Sequence, residues 1–313
     1  MSTPERALGA HVRAAGSDQT VSVVIPAYNA ERTLGRVLDA LAAQAPRPSE
    51  IVVVDDGSTD ATGAIAAQRG VRVVAASSGT AGGARNAGWQ AATSEVVCFL
   101  DSDAVPAPGW FAGLQCALRE FPGAIVGCAR TFQPVSPWGW VAHLQIETPF
   151  LPRGEPRDIA FLSSYCMAVP HDAPLEWDES YGGEDGIFCA EALARGVRLV
   201  FDPRFHAVHD HGRESFAALR RQQQRHAYGL ARVGPIQREG VHKRILSRVP
   251  LHYFGLARLV LIERRLREAP ALHARFLRLL PRMIVAEWTL GASALRYAVR
   301  RPALRSGNEP SFR

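Results

Sequence analysis

Four short apolar runs recur in the first hundred positions, separated by helical stretches, and three of them end in polar or acidic clusters. Val21-Ser22-Val23-Val24-Ile25 stops at Pro26, Ile51-Val52-Val53-Val54 at Asp55-Asp56-Gly57, and Glu95-Val96-Val97-Cys98-Phe99-Leu100 at Asp101-Ser102-Asp103; Val71-Arg72-Val73-Val74 is the fourth. Helical patterns over 32–44, 60–69 and 84–92 lie between them. Strands that are apolar at nearly every position are buried on both faces. The alternation therefore dictates an α/β fold, a mostly parallel sheet flanked by helices. Ligands of such sheets gather at the carboxyl ends of the strands. Pro26, Ala27, Tyr28, the Asp55–Asp56 pair and Asp101-Ser102-Asp103 all fall there.

Those ends also narrow the chemistry. No G-x-G-x-x-G follows the first strand, which excludes a dinucleotide oxidoreductase. Two carboxylates at i and i+2, Asp101 and Asp103, can converge on one hard divalent ion, because Mg²⁺ and Mn²⁺ prefer oxygen ligands. The five cysteines contain no Cys-x-x-Cys pair, against a disulfide framework or zinc cluster and in keeping with a reducing cytosol. The first twenty residues are polar and read as a tail without a signal-peptide pattern. Prolines and tryptophans punctuate 104–211, so this stretch reads as binding loops rather than a second sheet.

Several segments together resemble a known family. They are Val23-Val24-Ile25-Pro26-Ala27-Tyr28-Asn29 with Glu31, Val53-Val54-Asp55-Asp56-Gly57-Ser58, and Gly82-Gly83-Ala84-Arg85-Asn86-Ala87-Gly88. Phe99-Leu100-Asp101-Ser102-Asp103 follows, then Gly183-Glu184-Asp185, then Pro203 with His209 and His211. In order and spacing, over 21–211, they resemble the motifs of family 2 glycosyltransferases of the GT-A fold. The resemblance implies a metal-dependent, inverting transfer of one sugar from a nucleoside-diphosphate sugar to a hydroxyl. It divides 21–211 into a nucleotide-sugar half (21–103) and an acceptor half (104–211).

The same resemblance assigns roles. Pro26, Ala27, Tyr28 and Glu31 would meet the nucleotide, Asp55 or Asp56 its base, and Arg85 its phosphates. Asp101 would face the ribose side, with Ser102 also meeting the nucleotide sugar, while Asp103 binds Mn²⁺ or Mg²⁺ with His209 or its competitor His211. Asp185 would be the general base, with Glu184 positioning a hydroxyl or capping the helix over 185–195. Trp138, with Trp140 and Trp177, could stack on an acceptor sugar or pack in the core. Processive members carry Q-x-x-R-W; here Gln222-Gln223-Gln224-Arg225-His226 has His in place of Trp, so one sugar per encounter is expected.

Charge divides the chain at the same boundary. Residues 1–211 hold 15 Arg against 24 Asp and Glu, a balance of −9, and 212–313 hold 21 basic against 6 acidic residues, a balance of +15. Segments 249–262 and 276–299 are apolar but interrupted by charges such as Arg258, Arg278, Arg282 and Glu287. A membrane-spanning helix wants about 20 mostly apolar residues. The helical, basic region 212–313 therefore reads as amphipathic helices lying on an anionic membrane, or as a cap on the catalytic domain. The acceptor is expected to be lipid-linked or a cell-envelope glycan, met at the cytoplasmic face of the plasma membrane. The tail holds no recognised nucleic-acid module, so nucleic acid is not an expected partner. An inert nucleotide-sugar-binding module is the alternative to an enzyme.

Overall fold

The computed structural model describes residues 18–180, 182–210, 212–239 and 256–299. The alternating half forms as the pattern dictates. β1 (Val21–Ala27), β2 (Glu50–Asp55), β3 (Arg72–Ala75) and β4 (Val96–Leu100) are parallel, with α1 (Leu34–Ala42), α2 (Thr62–Gln68) and α3 (Ala81–Ala91) between them. Alternate residues of one strand serve two cores. Val23 and Ile25 pack against Leu34, Val37 and Leu41 of α1, while Val24 packs with Val54, Ala84 and Trp89 on the other face.

The stretch 104–211 departs from expectation. Rather than loops alone, it adds five strands to the same sheet: β5 (Ala104–Pro106), β6 (Ile125–Thr131), β7 (Arg157–Asp158), β8 (Cys166–Pro170) and β9 (Leu199–His209). The strand order is β3-β2-β1-β4-β8-β6-β9-β5, with β7 on β9. β8 runs antiparallel between β4 and β6, and β5 runs antiparallel to β9. Helices α4 (Trp110–Glu120), α5 (Pro137–Glu147) and α6 (Glu184–Ala194) complete this half.

The basic segment contributes α7 (Phe216–Glu239), α8 (Leu256–Leu266) and α9 (Pro270–Val299). The inner face of α9, with Phe276, Leu279, Met283 and Ala286, packs with Val141 and Leu144 of α5 and Leu259 and Ile262 of α8. A buried polar hub ties these helices together. Gln145 donates to Glu287 at 3.0 Å, and Gln223 donates to Gln145 at 3.0 Å and to the Ala286 carbonyl at 2.9 Å. The helices thus cap the sheet-bearing half. The opposite face of α9 exposes Leu277, Val285, Trp288 and Leu295, with Trp288 73 % exposed. Among the described residues no helix is long and apolar enough to cross a membrane; positions 249–255 of the first apolar segment lie outside them.

Candidate active site

The strand ends open into a cleft of about 1830 Å³. Pro26, Ala27 and Tyr28 line one end, and Tyr28 stands 59 % exposed at its edge. Of the acidic pair, Asp56 lines the cleft and its Oδ1 accepts from the Ser78 backbone N–H at 2.6 Å and hydroxyl at 2.9 Å. Asp55 instead closes its own turn, accepting from the Ser58 N–H at 3.0 Å. Glu31 is likewise spent on local structure, accepting from the Ala61 N–H at 3.2 Å. Neither Asp55 nor Glu31 is among the cleft-lining residues.

Helix α3 serves three neighbours through Arg85, Asn86 and Gly88. The guanidinium of Arg85, 3 % exposed, bridges Asp101 at 3.1 Å and Glu184 at 3.2 Å and lies 4.9 Å from the Trp177 ring centroid. Arg85 is therefore a strut between two acids as well as a cleft-lining cation. Asn86 exchanges hydrogen bonds with the Trp177 backbone, both at 2.9 Å. Gly88 lets the helix settle on the sheet, since a β-carbon there would stand 2.2 Å from Val24 and 2.9 Å from Val54.

Asp103 and His209 meet because of sheet register. β5 begins directly after Asp103, and its Ala104 pairs with His209, the last residue of β9. His209 Nε2 lies 3.3 Å from Asp103 Oδ1. One ligand atom each from Asp101, Asp103 and His209 falls within 4.8 Å of the others. Two carboxylate oxygens and an imidazole nitrogen at that spacing fit a hard divalent cation. Burial would lower the His209 pKa, but the Asp103 carboxylate beside it prevails and raises it to about 9. His211 lies outside the described residues.

Glu184 and Asp185 open α6. The helix begins at Gly183, whose φ of +85° is left-handed, and no side chain caps it, so Glu184 is a first-turn acid rather than the cap. Burial, then the neighbouring Glu184 charge, pushes the Asp185 carboxyl up to about 7, against the pull of Arg85. A β-carbon on Gly183 would come within 2.9 Å of Gly229 Cα, so α6 and α7 touch backbone to backbone where the acids stand.

The tryptophans lie elsewhere. Trp177 is buried and stacked 4.1 Å from Phe188. Trp138 packs against the helical cap, with its ring centroid 4.8 Å from Phe216, and does not line the cleft. Trp140 lies against Arg275, the guanidinium carbon 3.9 Å from its centroid.

Sequence reasoning missed a buried pair beneath the site. Arg130, the sixth residue of β6, bonds Glu147 at 2.7 Å and lies 3.8 Å from the Tyr165 ring centroid. Burial opposes the ionised form of Glu147, yet Arg130 and His209 hold its carboxyl far below the usual range. The i, i+4 spacing of His143 and Glu147 on α5 was the available signal. Also unforeseen are Arg213, Arg258 and Arg265, basic residues that line the cleft.

Known proteins resemble this chain in sequence and in fold. Residues 22–173 match the model of the Glycosyl transferase family 2 domain. A pre-mycofactocin glycosyltransferase of Mycobacterium tuberculosis is 30 % identical over 213 residues, 62 % of this chain and 43 % of that protein. The match thus spans less than half of that relative's length. The amylovoran biosynthesis glycosyltransferase AmsB of Erwinia amylovora is 39 % identical over 94 residues, 28 % of this chain and 31 % of its own. Among solved structures, the mannosyltransferase PcManGT of Pyrobaculum calidifontis, in complex with GDP-Man and Mn²⁺, superposes with a TM-score of 0.62 at 20 % identity. It covers 91 % of this chain and 88 % of its own, which shows a shared fold.

Proposed function

Since the chain belongs, through residues 22–173, to glycosyl transferase family 2, we propose that it moves one sugar from a nucleoside-diphosphate sugar to an acceptor hydroxyl, with inversion. The observation that carries this reading is the convergence in one cleft of Asp101, Asp103 and His209 with a half-buried Asp185 whose carboxyl is pushed up to about 7. The GDP-Man and Mn²⁺ of PcManGT support the donor class and the metal.

The nucleotide enters along Pro26–Tyr28 with its base toward Asp56. Asp103 and His209, with Asp101 beside them, would hold Mn²⁺ or Mg²⁺. When bound, the cation supplies positive charge to the departing diphosphate. Asp185 takes the proton of the acceptor hydroxyl as its oxygen bonds to the anomeric carbon. The bond from that carbon to the diphosphate oxygen breaks, and its electron pair leaves with the nucleoside diphosphate. Arg85 ties Glu184 to Asp101 and so fixes the helix end that carries the base.

We place the enzyme at the cytoplasmic face of a membrane, with a lipid-linked or envelope acceptor. The exposed stripe of Leu277, Val285, Trp288 and Leu295 on α9, flanked by Arg278, Arg282 and Arg296, supports that reading. His226 in place of the tryptophan of processive relatives supports one transfer per encounter. A hydrolysis screen of UDP-, GDP- and dTDP-sugars with Mn²⁺ or Mg²⁺ tests the core claim. Metal-dependent nucleotide release, lost in D103N, is expected; no release from any donor overturns it.

A further inference from the structure

At the nucleotide end of the cleft, the two oxygens of one carboxylate are in different states. Asp56 is pinned twice. Its backbone N–H donates to the Ala27 carbonyl at 2.9 Å, and its Oδ1 accepts from the Ser78 backbone N–H at 2.6 Å and hydroxyl at 2.9 Å. The hydroxyl also lies 3.0 Å from the Thr80 carbonyl, but a charged acceptor is the stronger partner for its single proton. Both lone pairs of Oδ1 are thereby taken. Oδ2 has no donor among the described residues, and Asp56 lines the cleft.

We propose that Asp56 reads the base of the donor with that one oxygen, and so selects a pyrimidine imide, uracil or thymine, over guanine. This selection rests on the sugar-transfer reading above and adds to it the class of nucleotide that carries the sugar.

The Watson–Crick edges of the bases differ in how many donors stand side by side. Uracil and thymine present a single N3–H between two carbonyl oxygens. Guanine presents N1–H and N2–H together, a fork that fits both oxygens of a carboxylate. With Oδ1 filled, guanine pairs one N–H and leaves the other unmatched, and a desolvated donor without an acceptor costs affinity. Cytosine turns the lone pair of N3 toward Oδ2, acceptor against acceptor.

Neighbouring acceptors at this end are already engaged. The Ala27 carbonyl holds Asp56 itself, and Asn29 Oδ1 accepts from the Thr59 N–H at 2.9 Å. Tyr28 offers an exposed ring, and stacking is open to every base, so it adds affinity without choosing. The choice therefore falls to Asp56. Because Ser78 fixes Oδ1 before any ligand arrives, the selection is built into the turn rather than induced.

The test is calorimetric titration of the full chain, with Mn²⁺ present, by UDP, GDP and CDP and by the deoxy pair dTDP and dGDP. UDP is expected to bind at least roughly tenfold tighter than GDP or CDP, and dTDP tighter than dGDP by a similar factor. UDP and dTDP then separate the two sources of the imide: a tighter UDP names uridine, a tighter dTDP thymidine.

D56N reverses the edge. Its amide oxygen stays with the two Ser78 donors, so the NH2 group replaces Oδ2 and a donor faces the base. UDP should weaken about tenfold or more, and CDP, whose N3 accepts, should bind tighter than UDP. A melting temperature shows that the variant is folded.

Equal affinity of the wild-type chain for UDP and GDP overturns the selection without any variant. So does a folded D56N that still prefers UDP to CDP. Metal-dependent nucleotide release from a donor sugar reports on the transfer reading separately. Release that is indifferent to the base sinks the selection alone, and binding of none of these nucleotides sinks both.

Discussion

Glu147 stands 3.9 Å behind His209, at the ring nitrogen opposite the one that faces Asp103. A carboxylate in that position fixes the orientation of an imidazole that ligates metal, and its loss typically weakens metal binding 10–100-fold. E147Q should therefore raise the Kd for Mn²⁺ by roughly tenfold, measured by electron paramagnetic resonance titration. It should also lower stability, because the buried Arg130 loses its charged partner. Unchanged Mn²⁺ affinity would mean that Asp103 alone orients the ring.

Asp185 couples activity and stability to pH in opposite senses. Its carboxyl is pushed up to about 7 by burial and by Glu184, so the base form, and with it kcat, should grow as pH rises through 7. An unfolded Asp ionises near 3.9. The raised folded value therefore contributes stability at low pH that is lost between about pH 4 and 7. D185N should cut turnover by roughly a hundredfold or more. It should melt above wild type at pH 8 and level with it at pH 4, as read by calorimetry.

Gly88 makes a packing prediction with no chemistry in it. G88A would press a methyl group into Val24 and Val54, lifting α3 from the sheet. A loss of about 1–3 kcal/mol is expected from such overpacking, seen as a lower urea midpoint at unchanged slope.

The outward stripe of α9 gives a membrane test. W288S should reduce co-sedimentation with anionic vesicles by roughly tenfold, since a buried aromatic ring supplies much of interfacial binding. The melting temperature should hold, because Trp288 is exposed. Equal sedimentation of the two proteins would leave the helical cap as the whole role of α9.

How much was legible beforehand follows from the kind of signal each part carries. β1, β2 and β4 announce themselves because strands buried on both faces are apolar throughout, and the acidic ends of β2 and β4 mark the sheet edge. β5–β9 did not, because β7 has two residues, β6 carries the buried Arg130, and β8 lies amid long loops. Asp103 and His209 could be paired by motif resemblance, but only the register Ala104–His209 explains why they meet. Glu147 left only the i, i+4 spacing to His143 on α5 as a local mark, because its charged partners Arg130 and His209 come from β6 and β9. In sequence Arg258 is only a charge interrupting an apolar segment, and nothing singles out Arg265. In the fold they face inward, a choice made by packing of α8 on α5 and α9 rather than by helical periodicity.

The contact of Gly183 with Gly229 joins the end of α6 that carries Asp185 to the middle of α7 with no side chain between. The two halves of the molecule are therefore not interchangeable parts. A C-terminal segment grafted from a relative would carry over the catalytic geometry only if it brought a glycine to that spot. A β-carbon at Gly229 would stand 3.0 Å from the Gly183 backbone, so a bulkier residue there would make α6 and α7 give way by a few tenths of an ångström beside Asp185.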